Sequence, residues 1–248
     1  MARQSRLPPF LLTRPAAQGD RFARTLRARF GAEIEIIDSP LLAPEFLTPD
    51  LPARRFQALI FTSQTGVEAY RRIAADPALT DARQAWCVGD RTALAARDAG
   101  LATLSAQGDA AALAQAIASA RPPGPLLHLR GQEVRGDLAE RLDCAGIETY
   151  SAIVYAQAPQ PLTAMAAALL RAGGDVVVPL FSPRTAALFA AATRAIDLHA
   201  RLWLASLSPA VAAAVGDLPS ASHVVAARPD AEAMITSLAG LIDAAAQA

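Results

Sequence analysis

The chain uses one strand-to-helix device twice over, at a nearly constant spacing. The apolar run Ala58–Phe61 passes through Thr62-Ser63 into a helix start, and the run from Asp175 to Phe181 does the same at Ser182-Pro183. Ser63 and Ser182 lie 119 residues apart, as do Gly89 and Ser208, and Thr92 and Val211. Asp109 and Asp230, each ahead of a helix, are 121 apart. Arg14 and Arg130 each end a Leu-rich run, 116 apart, and Gly31 and Gly146 close the helices that follow them. One small gap aligns the two halves throughout, which is the mark of a duplicated unit. The repeat boundary falls near Arg121, in the break Arg121–Pro125.

The repeated device has a chemical meaning. Short apolar runs bounded by hydroxyl residues predict buried parallel strands. A Ser at the strand exit caps the next helix by accepting one of its free amides. The strand end therefore opens onto a helix N-terminus, where unpaired N–H groups and partial positive charge hold anions. A single copy such as Thr62-Ser63 needs no more explanation than helix capping. A set of copies brought to one edge predicts an anion site.

Read in order, the runs Leu7–Thr13, Glu33–Asp38, Ala58–Phe61, Ala85–Val88, Ala102–Ser105, Leu126–Leu129, Asp175–Phe181, Arg201–Leu207 and His223–Ala227 predict strands. Helical patterns lie between them, including one from about Val134 to Cys144 and a last one carrying Met234, Ile235, Leu238, Leu241 and Ile242 on one side. Strands alternating with helices at this spacing predict an α/β fold with parallel sheet. Two segments break the alternation, the proline-marked Ser39–Pro44 and the extended Tyr150–Gln157. They occupy corresponding places in the two repeats. If both cross between lobes, residues 1–38 with 158–248 form a first lobe and 42–152 a second, joined by linker strands at 39–41 and 153–157.

Composition supports a cored protein. Of the 248 residues, 53% are hydrophobic and 19% charged, enough for two cores. Lys+Arg and Asp+Glu both count 23, so no net field attracts nucleic acid or an acidic membrane surface. All 23 of these basic residues are Arg, which grips carboxylates through paired hydrogen bonds. Cys87 and Cys144 are far apart and lack a metal spacing, so a reducing, cytoplasmic setting is expected. The N-terminal apolar run is cut at Thr13-Arg14, which suits neither a signal peptide nor a spanning helix. His128, His199 and His223 are isolated and predict core or surface roles. No Ser/His/Asp set, phosphate-binding loop or GxGxxG is present.

The ordered segments LLTRP (Leu11–Pro15), IFTSQTGVEAY (Ile60–Tyr70), VGDRTA (Val88–Ala93), LHLRG (Leu127–Gly131), IVY (Ile153–Tyr155), LFSPRTA (Leu180–Ala186) and LSPAVA (Leu207–Ala212) resemble the uroporphyrinogen-III synthase family over nearly the whole chain. That resemblance implies two flavodoxin-like α/β lobes joined by a two-stranded linker, with the site between them. It implies an enzyme of porphyrin and haem biosynthesis that closes hydroxymethylbilane to uroporphyrinogen III, losing water and inverting ring D, without metal or organic cofactor. The substrate is a small molecule with carboxylates on every ring. No nucleic-acid or membrane partner is implied. A monomer in transient contact with the preceding pathway enzyme is expected.

The resemblance also assigns residues. Tyr155 matches the family's tyrosine near the second linker strand and is the candidate acid for hydroxyl departure; its competing role is packing between lobes. Thr13, Arg14, Thr62, Ser63, Gly89, Thr92, Arg130, Gly131, Ser182 and Ser208 form the expected ring of substrate donors. Ser63 and Ser182 serve equally as caps, and Thr92 as an ordinary early-helix residue. A solvated Arg14 or Arg130 in a surface ion pair would contribute little. Arg91, Arg135 and Arg184 stand at helix starts, where positive charge opposes the dipole and hints at an anion nearby. The chain departs from the family at Ala210-Val211, where many members carry Thr, and at Thr65, where many carry Asn. Both departures shift weight to backbone donors. The rival reading from another class is a non-catalytic two-lobed binder of a polyanionic, tetrapyrrole-like ligand.

Overall fold

The computed structural model describes residues 7–133 and 138–246. The expected helix start at Val134 and the helix-start residue Arg135 lie outside them. The chain divides into two compact units, one of residues up to Ala43 with Pro159 onward, the other Pro44–Ala158.

The first unit holds strands β1 (Phe10–Leu12) and β2 (Ile36–Asp38) joined by helix α1 (Ala16–Phe30). In the second unit lie β3 (Leu42–Phe46, which spans the division), β4 (Ala58–Phe61), α2 (Gln64–Ile73), β5 (Gln84–Cys87), α3 (Asp90–Asp98), β6 (Ala102–Ser105), α4 (Ala110–Ala120), β7 (Leu126–Gly131), α5 (described from Leu138 to Cys144) and β8 (Thr149–Pro159). The chain then completes the first unit with α6 (Ala164–Ala172), β9 (Asp175–Leu180), α7 (Pro183–Arg194), β10 (Arg201–Ser206), α8 (Pro209–Val215), β11 (Ser222–Val225) and α9 (Ala231–Ala245).

The first sheet has strand order β2-β1-β9-β10-β11, and its strands pair in parallel. The second has order β3-β8-β7-β4-β5-β6, parallel from β8 to β6. Relabelled by position, each contains the same 2-1-3-4-5 arrangement. The first repeat gives β1-β2 to one sheet and β4-β5-β6 to the other. The second repeat gives β7-β8 and β9-β10-β11 the other way round. Each sheet therefore draws strands from both repeats.

The remaining strand, β3, edges the second sheet beside β8. Leu47 N–H donates to Val154 O at 2.9 Å and Gln160 N–H to Leu41 O at 2.9 Å. As one residue number rises its partner's falls, so these strands run antiparallel. Both straddle the divisions between the units, at Ala43/Pro44 and Ala158/Pro159, and Pro44 is tolerated in β3 because an edge strand's free side needs no donor.

Alternation along the strands divides each core into two layers. Leu59 and Phe61 pack with Val67, Tyr70 and Ala96 of α2 and α3, while Ala58 and Ile60 pack with Leu113, Ile117 and Leu142 of α4 and α5. In the first unit Leu11, Val176 and Val178 face Leu170 and Phe189, and Phe10, Leu12 and Val177 face Phe22, Leu26, Met234 and Leu238. Strands covered on both faces leave only their ends open to solvent. No helix among the described residues is long and apolar enough to cross a membrane.

Candidate functional site

In a 2-1-3-4-5 sheet the chain leaves strands 1 and 3 in opposite directions, opening a crevice beyond their carboxyl ends where ligands bind. In the first unit these strands are β1 and β9. Their exits are Thr13-Arg14 and Phe181-Ser182. In the second they are β7 and β4, which end at Arg130-Gly131 and lead into Thr62-Ser63. Each unit thus brings one matched arginine beside one matched serine. Ser208 follows β10 and Gly89 follows β5, one strand further along in each sheet.

In the first unit, the Arg14 guanidinium lies over the Phe181 ring and near that of Phe22. Its Cζ is 3.8 Å from the Phe181 ring centroid and 6.0 Å from that of Phe22, and the two rings meet edge-on. Nη2 donates to Gln18 Oε1 at 3.0 Å, but Nε is buried and lacks a hydrogen-bond partner among the described residues. Burial lowers the Arg14 pKa, and the charge of Arg21 adds to the effect. A guanidinium so placed gains from any anion that reaches it. Thr13 is buried at 1% exposure, and its carbonyl accepts the Leu41 amide. Ser182 Oγ caps α7 by accepting from Thr185 N at 3.2 Å and contacts Thr185 Oγ1 at 2.6 Å. Ser208 precedes α8 and makes no side-chain cap bond. Asp38, ending β2 at the same edge, was not singled out by the sequence. Burial raises its pKa, Asp20 adds to this and Arg27 opposes it.

In the second unit, Ser63 Oγ caps α2 by accepting from Gly66 N at 3.0 Å. The same oxygen lies 3.0 Å from Tyr155 Oη. Between β7 and β8 the register slips: Arg130 faces Ile153 but Gly131 faces Tyr155. That bulge carries the Tyr155 ring over Gly131, where a Cβ would come within 2.7–2.9 Å of the phenol. Only glycine leaves the ring its place. Thr62 Oγ1 lies 3.3 Å from Nε2 of the buried His128. Arg130 is half-buried, and its Nη1 donates to Gly131 O at 3.1 Å. Gly89 caps α3 without a side chain, so its amide edge is bare. Thr92, third in that helix, is buried. Arg91 is exposed, and Arg184 stands in the first turn of α7.

The structure therefore gathers Thr62, Ser63, Arg130, Gly131 and Tyr155 at one edge, and Thr13, Arg14 and Ser182 at another. His128 is buried, as the expected core role requires; the places of Phe22 and Phe181 against Arg14 carry no sequence signal. A cavity of about 900 Å³ lined by Leu7–Pro9, Phe30–Glu35 and Asp175 lies at the amino-terminal edge of the first sheet, away from these donors. Strand polarity, not cavity size, decides for the carboxyl edges.

Comparisons with known proteins bear on the fold and on kinship. The family profile described as uroporphyrinogen-III synthase HemD matches residues 20–236. A uroporphyrinogen-III synthetase structure from Helicobacter pylori is similar with a TM-score of 0.57 at 18% identity, over 95% of this chain and 100% of that one. A mutant uroporphyrinogen III synthase from Thermus thermophilus is 13% identical with a TM-score of 0.43, over 96% of this chain and 99% of that one. No curated protein matches the sequence. The Helicobacter structure bears on the fold, and the profile, spanning most of the chain, bears on kinship: the chain belongs to the uroporphyrinogen-III synthase family.

Proposed function

We propose that this chain closes hydroxymethylbilane to uroporphyrinogen III with Tyr155 as the acid and the two strand-end edges as carboxylate receptors. The observation that carries the reading is the matched placement of Arg14 and Arg130, each at the first strand's end of a 2-1-3-4-5 sheet and each beside a serine-capped helix start. Amides at the starts of α2, α3, α7 and α8 add donors, so a chain with no net charge can hold a polyanion.

The chemistry asks for positioning more than for strong groups. The linear substrate cyclises unaided to the unrearranged isomer, so the enzyme must favour one folded form of it. Tyr155 gives its proton to the departing hydroxyl, which leaves as water. The pyrrole electrons move in to give an azafulvenium cation. Spiro attack, fragmentation and reclosure follow, and the proton lost on rearomatisation returns to the phenolate. The same reading makes the protein a cytoplasmic monomer. Transient contact with the preceding pathway enzyme shortens the time in which the open chain cyclises wrongly.

The test generates hydroxymethylbilane in situ, adds the protein, oxidises the products and separates the isomers. Isomer III in excess is expected. Isomer I alone, at the uncatalysed rate, would leave a binder and sink the enzymatic reading.

A further inference from the structure

Ser63 does two things with one oxygen. Its Oγ accepts the Gly66 amide proton and lies 3.0 Å from Tyr155 Oη. A hydroxyl has one proton and two lone pairs, and Gly66 occupies one pair. The contact with Tyr155 then runs in one of two directions. If Tyr155 donates, its proton is held inside the protein and it offers the substrate only a lone pair. If Ser63 donates, the Tyr155 O–H is free for the substrate, and the Ser63 proton faces the charge that grows on the phenol oxygen. Only the second arrangement lets Tyr155 act as an acid.

The pair is held at this distance from both sides. Ser63 is fixed by its extended backbone, φ −154° and ψ 154°, at the start of α2. Tyr155 is fixed by its ring on Gly131 and by its carbonyl, which accepts the Gln132 amide at 2.8 Å. The contact is part-buried, which strengthens a hydrogen bond relative to water.

We propose that Ser63 is the positioning residue for Tyr155: its Oγ–H donates to the phenol oxygen, directs the Tyr155 proton to the leaving hydroxyl and steadies the phenolate. The inference rests on the reading of Tyr155 as the acid. The balance closes. The C–O bond of the hydroxymethyl group breaks with its electron pair on oxygen, the Tyr155 proton makes that oxygen water, and the ring proton released on closure restores the phenol. Ser63 keeps its own proton throughout. Its side chain has none left for the substrate, so α2 meets carboxylates through its backbone amides.

The experiment compares Ser63→Gly, Ser63→Thr, Tyr155→Phe and the double variant Ser63→Gly/Tyr155→Phe, reading kcat, KM and Tm. Glycine is an accepted N-cap residue, so Ser63→Gly removes the hydroxyl while α2 keeps its start. The expected result is a fall in kcat of about 10- to 100-fold for Ser63→Gly, the worth of a hydrogen bond to a charged group. KM stays within about twofold, since uniform binding is untouched. Ser63→Thr restores most of kcat, and the double variant is no slower than Tyr155→Phe alone. A Ser63→Gly enzyme with unchanged kcat overturns the inference while Tyr155→Phe remains slow. A raised KM with kcat kept, or an equal further fall in the double variant, overturns it too by making Ser63 an independent binder. If Tyr155→Phe keeps full kcat, the acid reading itself fails and takes the inference with it.

Discussion

Tyr155 is seated by residues far from it in sequence: Ser63 at its hydroxyl and Gly131 beneath its ring. Tyr155→Phe is expected to lower kcat by about 10²-fold or more, the usual contribution of a general acid, with little change in Tm. An unaffected rate would remove Tyr155 as the acid. Gly131→Ala places a methyl where the ring now lies, so kcat is expected to fall with the tyrosine still present. Wild-type turnover would show that the ring's seat is unimportant. Arg14→Lys keeps the charge but loses the planar group that lies on Phe181. A rise in KM of about tenfold is expected, with kcat nearly kept. The sequence made Ser63, Ser182, Arg14 and Arg130 visible because capping and repetition are local patterns. His128 beneath Thr62 and Phe181 beneath Arg14 were hidden, since only folding sets those partners side by side.

Elements follow the same division. Ser182 is a legible cap, and Pro183 after it suits the first turn of α7. Ser182→Ala is expected to destabilise by about 1 kcal/mol, a fall in Tm of about 2–4 °C by thermal melt. Strand β3 was less legible, because Pro40 and Pro44 read as a break and its place at a sheet edge is decided by β8. The β7–β8 bulge leaves no sequence signal at all, yet it sets the Tyr155 ring on Gly131. Between β9 and β10, Arg201 holds Asp175 by two bonds of 2.8 Å, with Trp203 Nε1 adding a third. The Arg201 hydrogen bond is the main cause that holds the Asp175 carboxyl below its ordinary pKa of 3.8, against the opposing effect of burial. A lowered folded-state pKa stabilises above the unfolded value and is lost as pH falls through the folded one. Stability should therefore drop below about pH 4 less steeply in Asp175→Asn than in the wild type. Identical acid-unfolding curves would contradict this.

At the scale of the whole molecule, the repeat shows a duplication whose halves are exchanged. Leaving the edge strand β3 aside, each sheet takes two strands from one repeat and three from the other, and this restores the 2-1-3-4-5 order twice. The spacing of about 119 residues made the duplication legible, and the paired crossing segments pointed to the exchange. The second unit is continuous in sequence, so residues 44–158 alone should fold with one cooperative denaturant transition. A broad, featureless loss of circular dichroism would contradict that. If the substrate lies on the carboxyl edges of the sheets, a crystal structure of the protein with uroporphyrinogen III will show it there. Product carboxylates at a strand-end arginine and the helix start beside it, Arg14 with Ser182 or Arg130 with Ser63, are the predicted result. Product seated instead at the amino-terminal edge, by Leu7–Pro9 and Asp175, would contradict it.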